Sequence, residues 1–469
     1  MRSQILCFFL LGIGLVSGLI FAQDTLAPPK LPPDERFKAD ILVFTAHPDD
    51  QIQISGYLAR AIYDEHRRVA VVFGDRGNEG SNLNGYEQAS ALAQVEDIEA
   101  RRAVAAMGIV NVWFLSGTDT VGQDLLRSLE TWHHGNVLEQ AVRYIRLTRP
   151  EVILTMLPGY VAGENHGDHQ ALGTIATEAF DLAGDATAFP EQLAAPPDRM
   201  QFANLTEGLS PWQPKKLYFF TDASHTDFLE GKGPKYSATE ISPSRHVPYC
   251  QFMAEQLSFY LTQFSGYQPG DKAYQALARG DFRSLPELDR EWLFPWTYFI
   301  FGKSLVQAST TGDIFEGITT ERVPFARPRG YQSPARQGLS LEWGGPLAFY
   351  HDFWPAHNIE HLGEWLAPEV EVHAGEPMHV PLVIHNDSAL PEEVTVHVEL
   401  PAGWTEEAGS ARYPVSAHDT YPIEALVHSY AHPTTEWTLV RWQAEAHGKV
   451  IGSVSMRVKL SGVNWGLPQ

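Results

Sequence analysis

Continuous apolar runs alternate with helical segments between residues 39 and 221. The run Ala39–Ala46 (ADILVFTA) is apolar at successive positions, which is typical of a strand that helices cover on both faces. Apolar residues at helical spacing follow over Gln51–Glu65. Further strands are predicted at Val69–Phe73, Val110–Leu115, Glu151–Met156 and Lys216–Thr221, and further helices at Ala91–Met107, Val137–Leu147 and His169–Ala183. This alternation predicts an α/β fold with an open, mostly parallel sheet whose strands lie in the order 3-2-1-4-5.

Two later regions extend the predicted domain. Residues 222–330 include a helical stretch, Val247–Thr262, and a densely apolar stretch, Trp292–Lys303, and we expect them to form a helical layer on the sheet. They complete an α/β domain over residues 39–330, and a linker is expected over residues 331–364.

Short alternating segments separated by turn residues occupy the C-terminal part of the chain. This pattern predicts a smaller all-β sandwich domain over residues 365–462. It resembles the Ig-like domains appended to bacterial glycoside-processing enzymes. We interpret its scattered histidines as a solvated face: His373, His379, His385 and His397.

The N-terminus has the pattern of an export signal. Arg2 precedes an apolar run that ends at Ala22, which predicts a signal peptide over residues 1–22 and a proline-containing linker over residues 23–38. A membrane anchor is the alternative, because the run is almost long enough to span a bilayer. Cleavage predicts an exported protein, periplasmic or extracellular, without stable membrane insertion.

The formal net charge of −23 argues against nucleic acid as a partner, because such a surface repels phosphate backbones. Of the two cysteines, Cys7 lies in the predicted signal, so Cys250 alone remains after cleavage and no intrachain disulfide can form. The sequence leaves the oligomeric state open.

Two polar motifs directly follow the first and fourth predicted strands: His47-Pro48-Asp49-Asp50 and His166-Gly167-Asp168-His169. These strands are neighbours where the strand order reverses, and ligands bind at the carboxyl ends of the strands there. Two histidines and one carboxylate are a common catalytic zinc set that leaves one coordination position open. We therefore predict His47, Asp50 and His169 as ligands of Zn²⁺, with Fe²⁺ as the alternative metal.

Asp49 and His166 remain beside the predicted metal. A carboxylate in that position can act as a general base, and a protonated histidine can stabilise an oxyanion. Because bound zinc lowers the pKa of water to about 7, these groups suffice for amide hydrolysis.

The stretches AHPDD at 46–50 and HGDH at 166–169 resemble the signature pair of the PIG-L/LmbE-like deacetylases. The resemblance covers roughly residues 38–300. It implies a Rossmann-like fold, a divalent metal, usually zinc, and removal of N-acetyl groups from glucosamine-type substrates. The roles that it implies are metal ligation by His47, Asp50 and His169, general base for Asp49, and electrostatic or acid partner for His166. The segment Leu115–Asp119 resembles the family's segment after strand three, which implies that Asp119 contacts substrate; a turn or helix-cap role is the alternative.

Three positions depart from the family pattern. Gln51 stands where the family usually has Glu, and Asn165 where it usually has Gly. The stretch Val95–Glu99, around Glu96, lacks an Arg that the family often uses for substrate, and Arg76 is the predicted substitute.

The leading hypothesis is removal of an N-acetyl group from an N-acetylglucosamine-type amino sugar or glycoconjugate. One alternative is a metal-dependent amidase that acts on a non-sugar N-acyl compound. Another is a carbohydrate-binding protein without catalysis. Acetate release across amino-sugar and acyl-amino-acid substrates, together with the bound metal content, distinguishes the three.

Overall fold

The computed structural model describes residues 34–159, 166–193, 209–222, 227–325 and 338–462. The predicted signal peptide and residues 23–33 of the predicted linker lie outside these ranges. None of the helices in the described ranges combines the length and the apolar character that crossing a membrane requires.

A six-stranded sheet forms the centre of the N-terminal domain, in the order β3-β2-β1-β4-β5-β8. Neighbouring strands from β1 to β5 run parallel, and β8 runs antiparallel to β5. The predicted order of the first five strands and the mostly parallel α/β fold are therefore confirmed. The strands of this sheet are β1 (Ile41–Thr45), β2 (Val69–Phe73), β3 (Asn111–Phe114), β4 (Val152–Met156), β5 (Lys216–Phe220) and β8 (Ile300–Ser304). Two further strands, β6 (Lys235–Ser237) and β7 (Trp296–Tyr298), pair with each other in a separate two-stranded sheet.

Helices cover both faces of this sheet, so alternate residues of each strand enter different cores. In β1, Ile41 and Val43 pack on one face, whereas Leu42 and Phe44 pack on the other. The first face carries α1 (Ile52–Tyr63), α2 (Ser90–Ala106), α6 (Cys250–Leu257) and α7 (Lys272–Ala278). The second carries α3 (Leu125–Thr131), α4 (His134–Thr148), α5 (Gly167–Leu182), α8 (Phe349–Ala356) and α9 (Glu360–Gly363).

The apolar stretch 292–303 is not part of a helical layer, which corrects the expectation from the sequence. From residue 296 onward the chain forms β7 and β8, and β8 adds the sixth strand to the main sheet. Phe299 enters one core and Ile300 the other, which is the alternation of a strand covered on both faces. An apolar run of this length does not distinguish a buried helix from a buried strand, and here the free edge of β5 determines the outcome.

The C-terminal domain is a β-sandwich of two sheets around a separate core. One sheet has the order β10-β17-β16-β12-β14 and the other β13-β15-β11-β9. The strands are β9 (Leu339–Trp343), β10 (Glu369–His373), β11 (Pro377–Asn386), β12 (Glu392–Glu399), β13 (Thr405–Ala408), β14 (Arg412–Val415), β15 (Asp419–His428), β16 (Thr438–Ala446) and β17 (Lys449–Ser461). The all-β expectation is confirmed, and the Ig-like assignment stays a prediction.

The segment 331–364 differs from the linker that the sequence predicted. Within its described part, β9 pairs with β11 and belongs to the sandwich. The helices α8 and α9 that follow bury Tyr350 and Leu362 in the core of the α/β domain. This segment therefore contributes to both domains, because its apolar residues pack against each of them.

Candidate metal and catalytic site

The loop after β1 is folded around the Asp50 carboxylate. Asp50 Oδ2 accepts hydrogen bonds from the backbone N–H of His47 at 2.7 Å and from Thr45 Oγ1 at 3.1 Å. This arrangement turns the chain sharply at the end of the strand and fixes the carboxylate. Its other oxygen, Oδ1, lies 3.3 Å from His169 Nε2.

His47, Asp50 and His169 converge on one point. Their ligand atoms all lie within 4.8 Å of one another, and His47 Nδ1 is 2.9 Å from His169 Nε2. Donor atoms that share a tetrahedral zinc ion at bond lengths of about 2.0–2.2 Å lie about 3.3–3.5 Å apart. The observed separations of 2.9 and 3.3 Å are close to that geometry, so the donor set fits a small divalent cation.

Helix α5 brings His169 to the cluster. His166 caps its N-terminus, with the ring Nδ1 accepting the backbone N–H of Asp168 at 3.2 Å. The buried Asp168 carboxylate accepts two hydrogen bonds from Thr120, at 2.7 Å from its N–H and 2.5 Å from its hydroxyl. These two hydrogen bonds join the loop after β3 to the start of α5, and thereby help to set the position of His169.

The second ring nitrogen of His47 faces three carboxylates. His47 Nε2 lies 3.7 Å from Asp75, 3.6 Å from Asp119 and 3.7 Å from Asp168. This buried nitrogen makes no hydrogen bond of normal length to any of the described residues. Carboxylates beside the outer nitrogen of a metal-ligating histidine orient the ring and raise its basicity. The surroundings of His47 thus match those of a ligand histidine.

Asp49 lies beside the three candidate ligands. Removal from bulk water and the neighbouring Asp50 charge raise the pKa of Asp49 to about 7. A cation at the cluster opposes that shift, because positive charge favours the carboxylate. Its position beside the cluster is that of a carboxylate that can accept a proton from water at the metal.

His166 borders the cluster on the solvent side. Its ring centroid is 4.7 Å from that of His47 and 5.4 Å from that of His169. Burial, together with these two neighbouring histidines, lowers the pKa of His166 to about 4. Since Nδ1 accepts the Asp168 N–H, the ring proton of the neutral form is on Nε2.

Asp119 ties the loop after β2 to the cleft. Its Oδ2 accepts the backbone N–H of Glu79 at 3.0 Å, and its own N–H donates to Asn78 Oδ1 at 3.3 Å. Asp119 also lines the cleft over the cluster, whereas Arg76 does not. The Arg76 guanidinium instead pairs with Asp97 at 3.2 Å and lies over the Phe114 ring.

Gln51 is buried just before α1 and does not point into the cluster. Its side-chain nitrogen donates to the Tyr260 hydroxyl at 2.5 Å. The contact joins the start of α1 to the segment after α6, so this residue supports the loop that carries Asp49 and Asp50.

Four residues that the sequence did not single out belong to the site: Asp75, Asp168, Glu96 and Gln263. Asp75 follows β2 as His47 follows β1, so its position at a strand end was an available signal. Asp168 lies within the quoted HGDH motif. Glu96, in the middle of α2, accepts a hydrogen bond from Gln263 at 2.5 Å, and no sequence pattern indicates that contact. Burial and the nearby Asp49 raise the pKa of Glu96 to about 9.

A cleft of about 220 Å³ opens over these groups. Its polar lining comes from the ends of β1, β2 and β3 and from α2 and α5, and includes His47, Asp49, Glu79, Glu96, Asp119 and His166. The site thus combines a metal-type cluster, a titratable carboxylate and an imidazole N–H around one opening.

The part of the chain that carries this cluster matches a known family. Residues 42–180 match the family described as PIG-L: GlcNAc-PI de-N-acetylase. Residues 42–180 form a PIG-L family domain. This PIG-L domain extends from β1 to α5 and contains both motifs of the cluster.

Two curated proteins are similar in sequence. One is 1D-myo-inositol 2-acetamido-2-deoxy-alpha-D-glucopyranoside deacetylase 1 of Catenulispora acidiphila, 27% identical over 179 residues, which are 35% of this chain and 54% of that protein. The chain thus spans about half the length of this relative. The other is mycothiol S-conjugate amidase of Streptomyces coelicolor, 25% identical over 308 residues, which are 59% of this chain and 97% of that protein.

Two solved structures match part of the chain at low identity. N,N'-diacetylchitobiose deacetylase from Pyrococcus horikoshii, complexed with its inhibitor MPG, is 15% identical, with a TM-score of 0.38 over 56% of this chain and 83% of that chain. A conserved protein from Thermus thermophilus is 20% identical, with a TM-score of 0.33 over 58% of this chain and 97% of that chain.

Proposed function

We propose that this protein is a divalent-metal-dependent hydrolase that removes the N-acetyl group from an N-acetylglucosamine-type amino sugar or glycoconjugate. The observation that carries the proposal is the convergence of His47, Asp50 and His169 beside the Asp49 carboxylate. The PIG-L domain match and the deacetylase named among the relatives support this substrate class.

His47, Asp50 and His169 would hold the metal, for which we propose zinc, with Fe²⁺ as the alternative. When bound, the ion would supply Lewis-acid polarisation of the acyl carbonyl and a lowered pKa for water. Asp49 takes the proton from the attacking water. The water oxygen bonds to the acyl carbon, the carbon–nitrogen bond breaks, and the proton passes from Asp49 to the amine. A free amine and acetic acid leave, and the acid gives up its remaining proton to the solvent as acetate.

The neutral His166 ring supports the transition state by donating its Nε2 proton to the oxygen that becomes negative. The sequence predicted a protonated histidine at this position. The hydrogen bond from the Asp168 backbone N–H to His166 Nδ1 instead favours a neutral ring that donates through Nε2. Asp119 is proposed to bind substrate hydroxyl groups from the wall of the cleft.

Metal analysis combined with acetate release from N-acetylglucosamine oligomers tests the proposal. We expect Asp49→Asn to keep the bound metal and to lower kcat by about 10²–10⁴, because only the general base is removed. His169→Ala should lose both metal and activity. Asp387→Asn, the same change on the surface of the sandwich, is the control for both measurements. Near-normal turnover in Asp49→Asn would show that Asp49 is not the general base.

An amidase that acts on a non-sugar N-acyl compound is the second candidate. The observation behind it is the similarity to a protein whose name, mycothiol S-conjugate amidase, specifies an amidase and does not specify an acetamido sugar; 97% of that protein is covered. Release of acid from acyl-amino-acid substrates, without release from amino sugars, would select this alternative.

We also propose that the mature protein is exported, on the basis of the apolar N-terminal run that ends at Ala22. N-terminal sequencing of the mature protein should then begin at Gln23. A mature protein that still carries residues 1–22 would contradict the proposal.

A further inference from the structure

Four of the residues that line the cleft over the metal cluster carry carboxyl groups. Asp49, Glu79, Glu96 and Asp119 all border it, and no lysine or arginine does so among the described residues. Arg76, in the same loop as Glu79, is held away by its ion pair with Asp97. Among the described residues, a substrate that enters the cleft therefore meets carboxyl groups and no positively charged side chain.

The negative charge persists under a conservative count. The carboxyls of Asp49, Asp75 and Glu96 have raised pKa values and are left out of this count. Four carboxylates around the cleft and the cluster remain in the count: Asp50, Glu79, Asp119 and Asp168. Their four negative charges outnumber the two positive charges of a divalent cation. The field of the whole chain, with a net charge of −23, has the same sign.

Glu79 is the carboxylate best placed to act on the charge of the substrate. It is exposed at the rim, while its backbone N–H is fixed by the bond of 3.0 Å to Asp119 Oδ2. An anionic group on a sugar in this cleft would approach the carboxylates of Glu79 and Asp119, which border it. In a water-like dielectric and at a separation of about 4 Å, each like-charge pair weakens binding about fivefold.

We propose that this cleft selects among acetamido sugars by charge. It disfavours those that carry phosphate or carboxylate, accepts neutral ones, and binds best those with a neighbouring ammonium group, such as a partly deacetylated amino-sugar oligomer. The inference rests on the proposed deacetylase function and adds the charge of the substrate to it.

Three disaccharides of matched size test the proposal with the zinc-loaded protein at about pH 6, where sugar amines are protonated. They are two linked N-acetylglucosamines, glucosamine linked to N-acetylglucosamine, and glucuronic acid linked to N-acetylglucosamine. We expect kcat/KM for acetate release to fall in the order cationic, neutral, anionic. Raising the salt from about 0.02 M to about 0.5 M should compress these ratios, because screening weakens the repulsion and the attraction.

Glu79→Gln should raise the ratio of kcat/KM for the anionic over the neutral disaccharide by about fivefold. Glu287→Gln makes the same change at an exposed position outside the cleft and should leave that ratio unaltered. A preference for the anionic disaccharide at low salt, or a ratio insensitive to both salt and Glu79→Gln, overturns the inference alone. No acetate from any of the three disaccharides overturns the proposed function, and the inference with it.

Discussion

At the scale of single residues, His47 connects two different environments. One ring nitrogen faces His169 and Asp50, and the other faces the carboxylates of Asp75, Asp119 and Asp168. A ligand histidine needs both: a free lone pair toward the metal and an acceptor for the opposite N–H. Residues from the ends of three strands and from α5 meet at this one side chain.

Asp64 stabilises the contact between α1 and the segment before α6, and this stabilisation depends on pH. Burial opposes its ionisation, but hydrogen bonds from Ser242 (2.7 Å), Tyr249 (2.7 Å) and Ser244 (2.9 Å) prevail and lower the pKa of Asp64 to about 2. A depressed folded-state pKa contributes stability above the unfolded value of about 4, and this contribution is lost as the pH falls toward 2.

We therefore expect Asp64→Asn to lower the free energy of unfolding by about 1 kcal/mol at pH 7, after allowance for solvent screening. Below about pH 3 the difference from the unmodified chain should shrink. Urea unfolding at pH 7 and below about pH 3 measures this difference in the free energy of unfolding, with Asp387→Asn as the control. A difference that is constant with pH would contradict the assignment.

The sequence predicted the residues of the cluster better than their surroundings. His47 and Asp50 directly follow β1, and His169 lies in α5, the helix that comes after β4, the neighbour of β1 in the sheet. The structure brings the ligand atoms of these three residues within 4.8 Å of one another. Glu96 and Gln263 come from the middle of α2 and from the segment after α6, and only tertiary packing joins them. The position of Arg76 depends on its pairing with Asp97, which a sequence pattern does not specify.

At the scale of elements, the close contact between α5 and the end of β4 positions the site. Gly173 allows it: a Cβ there would lie 2.8 Å from Pro158 N and also against the Met156 carbonyl. The helix can approach the strand so closely only because this side chain is absent. His169 lies one turn earlier on the same helix.

Gly173→Ala should therefore destabilise the protein by about 1–3 kcal/mol and weaken metal binding, because α5 must move away from β4. The matched control is Gly135→Ala in α4, where a Cβ meets nothing within 4 Å. That change should stabilise the helix by up to about 1 kcal/mol. Chemical unfolding and zinc titration of both variants measure these effects, and equal behaviour would contradict the account.

The fold was predictable where the chain alternates between buried strands and amphipathic helices. The strands β1 to β5 and their order follow from that pattern and from the right-handed crossover rule. The strands β7 and β8 were not predictable in the same way, because an apolar run covered on both faces has no distinguishing period. Whether these residues form strands or a helix depends on the open edge of β5, which exists only once the sheet has assembled.

At the scale of the whole molecule, the segment between the two domains is a structural part of both. The helices α8 and α9 bury Tyr350, Phe353, Ile359 and Leu362 against the α/β core. Burial of each such side chain contributes about 1.5–3 kcal/mol. Their total is comparable to the stability of a typical domain.

A chain that ends at residue 337 should therefore fold poorly, whereas one that ends at residue 366 retains both helices and should unfold cooperatively. Circular dichroism during heating, on two chains that start at the same residue, tests this expectation. Equal melting temperatures would mean that α8 and α9 do not stabilise the α/β domain.

The position of the metal tests the central claim most directly. Anomalous X-ray scattering from a crystal of the zinc-loaded protein should give one peak within about 2.0–2.2 Å of ligand atoms of His47, Asp50 and His169. A peak at the adjacent group of His47, Asp119, His166 and Asp168, or no peak near His47, would contradict the assignment and the hydrolase mechanism built on it.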